Sequence, residues 1–129
     1  LKLYLIAFIV FLGIDAIWLV LVAPKFYKSQ IGHLMTESPN LIAALVFYLI
    51  FVVGLVFFVI QPGVQDQSVG YILIAGFLFG FITYATYDLT NLATLKDWPI
   101  LVTVVDLAWG STLSLSISLI TYFVYNAIW

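Results

Sequence analysis

The stretch Leu41–Ile60, LIAALVFYLIFVVGLVFFVI, decides the fold, because it contains no charged side chain over its whole length. A helix that crosses the hydrocarbon core of a bilayer needs about 20 predominantly apolar residues. Pro39-Asn40 precedes the stretch, and Gln61-Pro62-Gly63 follows it. Since proline and glycine interrupt the hydrogen-bond ladder of a helix, we expect one spanning helix between these two boundaries.

Three further segments meet the same criterion. The sequence therefore predicts an all-α integral membrane protein with four transmembrane helices, at about residues 3–23, 41–60, 70–88 and 100–128. Because the second and third connections are short, neighbouring helices should run antiparallel and form an up-down bundle. We expect residues 1–129 to form a single transmembrane domain.

Composition excludes several classes of protein. Only 8% of the residues are charged, whereas a soluble domain carries roughly 25%. The absence of cysteine excludes thiolate chemistry, and a single histidine excludes histidine-built metal centres. The net charge of −2 provides no basic surface for nucleic acid. We expect no cofactor, no metal site and no nucleic-acid partner. The expected partners are the lipid bilayer, a small-molecule or lipid ligand, and a second copy in a homodimer.

Lysine positions suggest an orientation in the membrane. Lys25 and Lys28 lie in the first connection and Lys96 in the third. The positive-inside rule then predicts that these connections are cytoplasmic and that both termini lie outside. Leu3–Ala23 is too long for the core of a signal peptide, so we interpret it as a retained helix of a multi-pass protein.

Three aspartates, Asp15, Asp88 and Asp106, fall in the predicted spans, and the chain contains no arginine. A charged carboxylate at the bilayer centre costs about 2.5–3.5 kcal/mol, so such residues usually face the interior of a bundle. With a rise of about 1.5 Å per residue, Asp15 and Asp106 should lie roughly 13 and 10 Å below the same membrane face. Asp88 is expected to end the third span at that face. The sequence thus predicts one shared site.

Aromatic residues accompany these aspartates. Trp18 and Trp109 each follow an aspartate by one helical turn and share its helix face. We predict that the first, third and fourth spans line a ligand-binding or proton-relay site, while the second span supports them and faces lipid. The candidate residues are Asp15, Trp18, Tyr84, Tyr87, Asp88, Asn91, Asp106 and Trp109. The structural alternative is that the aspartates only form hydrogen bonds between helices.

Small and polar residues mark two helix surfaces. Gly76 and Gly80 form a surface that lets another helix approach closely, either within the chain or in a homodimer. A polar stripe runs along the fourth span from Thr103 to Tyr125. We interpret it as contacts between helices or as a surface for a partner helix.

The stretch at residues 84–95, YATYDLTNLATL, resembles a bacterial family of small predicted membrane proteins that is classed as a domain of unknown function. The similarity includes DLAWG at 106–110, DAIW at 15–18 and Phe26-Tyr27. The resemblance implies a four-helix protein of the bacterial inner (plasma) membrane. It implies no established activity.

We predict that the protein binds, or transports, a small cationic or amphipathic, lipid-like ligand in an acidic and aromatic intramembrane site, since aromatic faces attract cations. Two alternatives stay open. One is a membrane-embedded enzyme that modifies a lipid or isoprenoid, with an aspartate as general acid. The other is an accessory subunit that binds a partner helix. The sequence decides neither whether the protein is an enzyme nor which residue would be catalytic.

Overall fold

The computed structural model describes residues 1–129, and every regular element in it is a helix. A short 3₁₀ turn, Gly32–Leu34, follows the second helix. Four of the helices are long and apolar enough to cross a membrane, which confirms the predicted all-α membrane fold. The helices are α1 (Lys2–Leu21), α2 (Ala23–Ile31), α3 (Leu41–Gln65), α4 (Val69–Thr94) and α5 (Ile100–Ile128), of which α2 is the short one.

Glycines let α4 and α5 pack closely, and these two helices share the most extensive contact in the bundle. A methyl group on Gly76 would lie 3.3 Å from the Cα atom of Leu115, and one on Gly80 would overlap the carbonyl oxygen of Gly110. Since the contact moves backwards along α5 as it moves forwards along α4, the two helices are antiparallel. The glycine surface is thus used within the chain. The alternative that it joins two copies is therefore not needed to explain the two glycines, and the homodimer stays a prediction.

The polar stripe of α5 is buried in the same interface. Its serine and threonine members are at most 3% exposed, so they cannot meet a partner helix. Ser118 donates a hydrogen bond to the carbonyl oxygen of Ser114 at 2.7 Å within α5. The interpretation of the stripe as contacts between helices therefore agrees with the structure. These buried members are Thr103, Ser114, Ser118 and Thr121, whereas Tyr125 at the end of the stripe is partly exposed.

The second span extends past the predicted end at Ile60 and continues to Gln65. Proline has no N–H group, so Pro62 leaves the carbonyl oxygen four residues earlier, that of Phe58, without its helical partner. The helix widens into a π-helical turn at Val56–Ile60. The hydroxyl of Tyr71 then donates a hydrogen bond of 2.5 Å to that carbonyl oxygen. The proline is tolerated because α4 supplies the missing donor.

The other boundaries also differ from the predicted ones. The third span continues to Thr94 rather than ending at residue 88, so Asp88 lies well inside α4. Pro24 occupies the first turn of α2 instead of only closing α1. These shifts matter for the site, because the start of the first connection is itself a helix and Asp88 is a buried residue.

Candidate functional site

The short helix α2 covers one end of the bundle. Ala23, Tyr27 and Ile31 are spaced four residues apart and form its inward face, whereas Lys25 and Lys28 are exposed on the other side. The Tyr27 hydroxyl donates a hydrogen bond to Oδ1 of Asp106 on α5. This bond ties α2 to the fourth span.

A cavity of about 450 Å³ lies beneath α2, and all four spans contribute to its wall. The structure places most of the candidate residues around it. We call this space the acidic cavity, because its wall contains two carboxyl groups and no basic side chain. The candidate residues that line it are Asp15, Trp18, Tyr84, Tyr87, Asp106 and Trp109.

Asp15 lies on α1 and is only 8% exposed. The side chains of Tyr48 and Trp109 lie within hydrogen-bonding reach of its carboxyl group. The ring of Tyr48 also packs against Phe11, with 5.0 Å between the ring centroids. Since Tyr48 belongs to α3, the second span contributes directly to the polar part of the cavity wall.

The prediction that the second span supports the others and faces lipid describes the exposed side of α3 but misses the side that lines the cavity. Phe47 and Tyr48 of α3 both line the acidic cavity. Phe51 of the same helix is buried and packs between Phe11 and Phe79, at centroid distances of 5.5 and 5.4 Å. The uniformly apolar sequence of α3 concealed which of its faces is buried.

Two candidate residues do not line the cavity. Asp88 is completely buried, and its carboxyl group lies within hydrogen-bonding reach of the Asp106 carboxyl group but accepts no hydrogen bond from any other part of the chain. The Thr103 hydroxyl donates to the backbone oxygen of Asp88 at 3.5 Å and accepts from the indole N–H of Trp98 at 3.1 Å. Asn91 lies within reach of Tyr87 but outside the cavity wall.

The two tryptophans of the predicted site contact each other. The rings of Trp18 and Trp109 stack with 4.3 Å between centroids and 10° between planes. The ring of Tyr27 meets Trp18 edge-on at 6.3 Å. The three rings form a continuous aromatic wall that joins α1, α2 and α5.

Tyr27 is the titratable residue of α2 that reaches the cavity. Burial, followed by the hydrogen bond to Asp106 and the negative charge of that carboxyl group, raises the pKa of Tyr27 above its usual value. The hydroxyl therefore stays protonated and remains a donor. No group of three or more histidine, cysteine, aspartate or glutamate side chains is placed to hold a metal ion.

Sequence reasoning did not include several residues of the cavity wall. Tyr27, Phe47, Tyr48 and Trp98 all line it, although none was a candidate. The four-residue spacing on α2 is a signal that could have identified Tyr27. Tyr48 is the polar aromatic residue of an otherwise apolar span, which is a weaker signal. Nothing in the sequence singles out Phe47 among its apolar neighbours.

The fold and this cavity define a class: a small all-α membrane protein with four helices able to span a bilayer and an acidic, aromatic-walled cavity at one end. The chain belongs to the family described as "Predicted membrane protein (DUF2177)", whose model matches residues 1–123. This match confirms the resemblance to a membrane protein family of unknown function. Comparisons with curated proteins and with solved structures found no match.

Proposed function

We propose that the protein binds a small cationic or amphipathic, lipid-like ligand in the acidic cavity. The observation that carries the proposal is the combination of two carboxyl groups, those of Asp15 and Asp106, with aromatic walls and no basic side chain. A buried charge is costly unless it is paired, and a bound cation would supply the partner. A volume of about 450 Å³ also falls in the range of about 300–1,000 Å³ that is typical of ligand sites.

The aromatic wall favours an organic cation. Aromatic faces attract cations that lie within about 6 Å of the ring centroid. Trp18, Trp109, Tyr84 and Tyr87 all border the space into which Asp15 and Asp106 project. A ligand with a positive group and an apolar body would satisfy both kinds of surface.

Asp88 adds support from behind the cavity wall. Its buried carboxyl group lies within hydrogen-bonding reach of Asp106 and accepts no hydrogen bond from any other group. Like charges at close range repel each other, so a cation next to Asp106 would stabilise both groups. The same pair is suited to a proton relay that responds to ligand entry.

Residence in a bacterial inner membrane, with the first and third connections in the cytoplasm, is part of this proposal.

An enzyme is the second candidate function. The observation that favours it is the contact between Asp106 and the Tyr27 hydroxyl at the cavity wall. Asp106 and the adjacent Asp88 can share one proton between their carboxyl groups, so Asp106, positioned by Tyr27, could act as general acid on a lipid or isoprenoid, with the aromatic rings stabilising a developing cation. Such an enzyme would change the covalent structure of its ligand, whereas a binding protein would return it unchanged.

Native mass spectrometry of protein extracted in mild detergent and incubated with a membrane lipid extract tests the proposal. We expect the wild type to retain a non-detergent mass that is lost in Asp15→Asn and Asp106→Asn. Asp66→Asn, at an exposed position after α3, is the matched control and should retain the mass. The proposal is overturned if the wild type retains nothing, or if the two cavity variants retain the same mass while remaining folded by circular dichroism.

A further inference from the structure

We propose that the ligand is a single-chain amphiphile with a protonated amine, which enters sideways from the bilayer between α3 and α4. This inference rests on the proposed function and specifies its ligand. The amine would bind in the acidic cavity, and the hydrocarbon chain would lie in an apolar groove that adjoins it.

The groove lies between two spans. It has a volume of about 380 Å³ and is lined by Phe47 of α3 and by Thr83, Tyr84 and Tyr87 of α4. Phe47, Tyr84 and Tyr87 also line the acidic cavity, so the two spaces adjoin. Phe47 is 46% exposed and Tyr87 is 56% exposed, which shows that the groove opens on the outside of the bundle.

The surface of the groove suits a hydrocarbon chain. Its lining contains no charged residue. The hydroxyl of Thr83 donates to the carbonyl oxygens of Phe79 and Gly80 at 2.9 and 3.1 Å, so it is already paired within α4. An acyl chain can therefore lie along the aromatic rings of the groove without breaking the hydrogen bonds of Thr83.

The route from the membrane surface is covered. Tyr27 and Ile31 of α2, with Met35 beyond it, line the cavity from that side. The hydrogen bond from Tyr27 to Asp106 fastens this cover to α5. The opening beside Phe47 faces the surface that the spans present to lipid. Lateral entry from the bilayer is thus the open path.

Charge selects the head group. Asp15 and Asp106 attract a positive group and repel a phosphate, and the cavity wall has no basic side chain to offset that repulsion. Lys25 and Lys28 lie on the exposed side of α2 and do not line the cavity. An amine without a phosphate therefore complements the site, whereas a phospholipid does not.

The test compares three probes by native mass spectrometry in detergent: tetradecylamine, butylamine and tetradecanol. We expect the wild type to retain tetradecylamine, to bind butylamine at least about ten-fold more weakly, and to retain no tetradecanol. Thr83→Trp would fill the groove without touching the acidic cavity. It should reduce tetradecylamine binding to about the level of butylamine and leave butylamine binding unchanged.

Thr112→Trp is the matched control. Thr112 lies in a different surface groove, of about 290 Å³, and its hydroxyl is likewise paired within its own helix, to the carbonyl oxygen of Ala108 at 2.8 Å. This variant should retain tetradecylamine like the wild type. Asp15→Asn should lose both amines.

The outcomes separate the two proposals. If the folded wild type binds neither amine, the cation site itself is refuted. If it binds both amines equally, or if folded Thr83→Trp binds tetradecylamine like the wild type, the cation site stands and the groove proposal fails. Equal retention of tetradecanol and tetradecylamine would refute selection by charge. The dependence on chain length uses the wild type alone, so the test does not depend on the folding of a variant.

Discussion

Trp18 of α1 and Trp109 of α5 stack face to face, with 4.3 Å between ring centroids and 10° between planes. Each tryptophan follows an aspartate by three residues, in Asp15-Ala-Ile-Trp18 and Asp106-Leu-Ala-Trp109. Because α1 and α5 are antiparallel neighbours, the two short motifs meet at the same end of the bundle. The stack therefore sets the distance between the helices that carry the two cavity carboxyl groups.

Loss of the stack should destabilise the bundle in a non-additive way. Stacked aromatic pairs contribute about 0.5–1.5 kcal/mol beyond burial of their area. We expect Trp18→Phe and Trp109→Phe each to lower the free energy of unfolding, and the double variant to lose less than the sum. Thermal unfolding in detergent measures this, with Trp129→Phe at the exposed C-terminus as control. If the two single variants lower the free energy of unfolding by amounts that add up to the effect of the double variant, the stack is contradicted.

Gly80→Ala should destabilise the protein by about 1–3 kcal/mol, as overpacking of a tight interface generally does. The added methyl group would overlap the carbonyl oxygen of Gly110, which is backbone and cannot rotate away. Gly13→Ala is the matched control, because nothing lies within 4 Å of its new methyl group. Thermal unfolding compares the two, and size-exclusion chromatography should show the same oligomeric state in both. Equal stability of the two variants would show that α4 and α5 are further apart than described.

Asp88→Asn should increase the free energy of unfolding. Leaving a buried polar group without a partner costs about 1–3 kcal/mol, and more when the group is charged. Asp88 is completely buried and its carboxyl group faces only that of Asp106, so removal of its charge should relieve the repulsion between them and stabilise the folded protein. Asp66→Asn, at an exposed position, should leave stability unchanged. A destabilised Asp88→Asn variant would mean that the carboxyl group has a stabilising partner.

Tyr27→Phe should lower stability at neutral pH and have less effect in strong alkali. The variant removes the hydrogen bond to Asp106, which is worth roughly 1–3 kcal/mol when the acceptor is a carboxylate. The pKa of Tyr27 in the folded protein is raised above the value of about 10 that it has when unfolded. Its contribution is therefore complete below pH 10 and is lost as the pH rises further.

Melting curves of the wild type and Tyr27→Phe between pH 7 and pH 11 check this dependence. The difference in melting temperature should be constant up to pH 10 and then become smaller. Ser29→Ala, on the exposed side of α2, is the control and should follow the wild type throughout. A difference that grows above pH 10 would contradict the assigned direction of the pKa.

The helix boundaries show which features the sequence pattern predicts and which depend on contacts between helices. Composition alone predicted α1 and α5 to within a few residues, because their ends coincide with changes in polarity. It placed the end of α3 at Ile60, since the tolerance of Pro62 depends on a hydroxyl donated by Tyr71 from another helix. The sequence placed Asp88 at a helix end, because the packing of Asp106 and Thr103 beside it depends on the tertiary structure.

The sequence by itself determined that the chain is an all-α membrane protein with four spans and that its three buried aspartates belong to one end of the bundle. These properties depend on the transfer of side chains out of water and on the fixed rise of a helix, both of which are local. The tertiary structure decided which faces meet. It brought Tyr27 of α2 and Tyr48 of α3 to the cavity, covered Gly80 with α5, and left Asp88 behind the wall. Apolar spans carry little periodic signal, so only packing could select those faces.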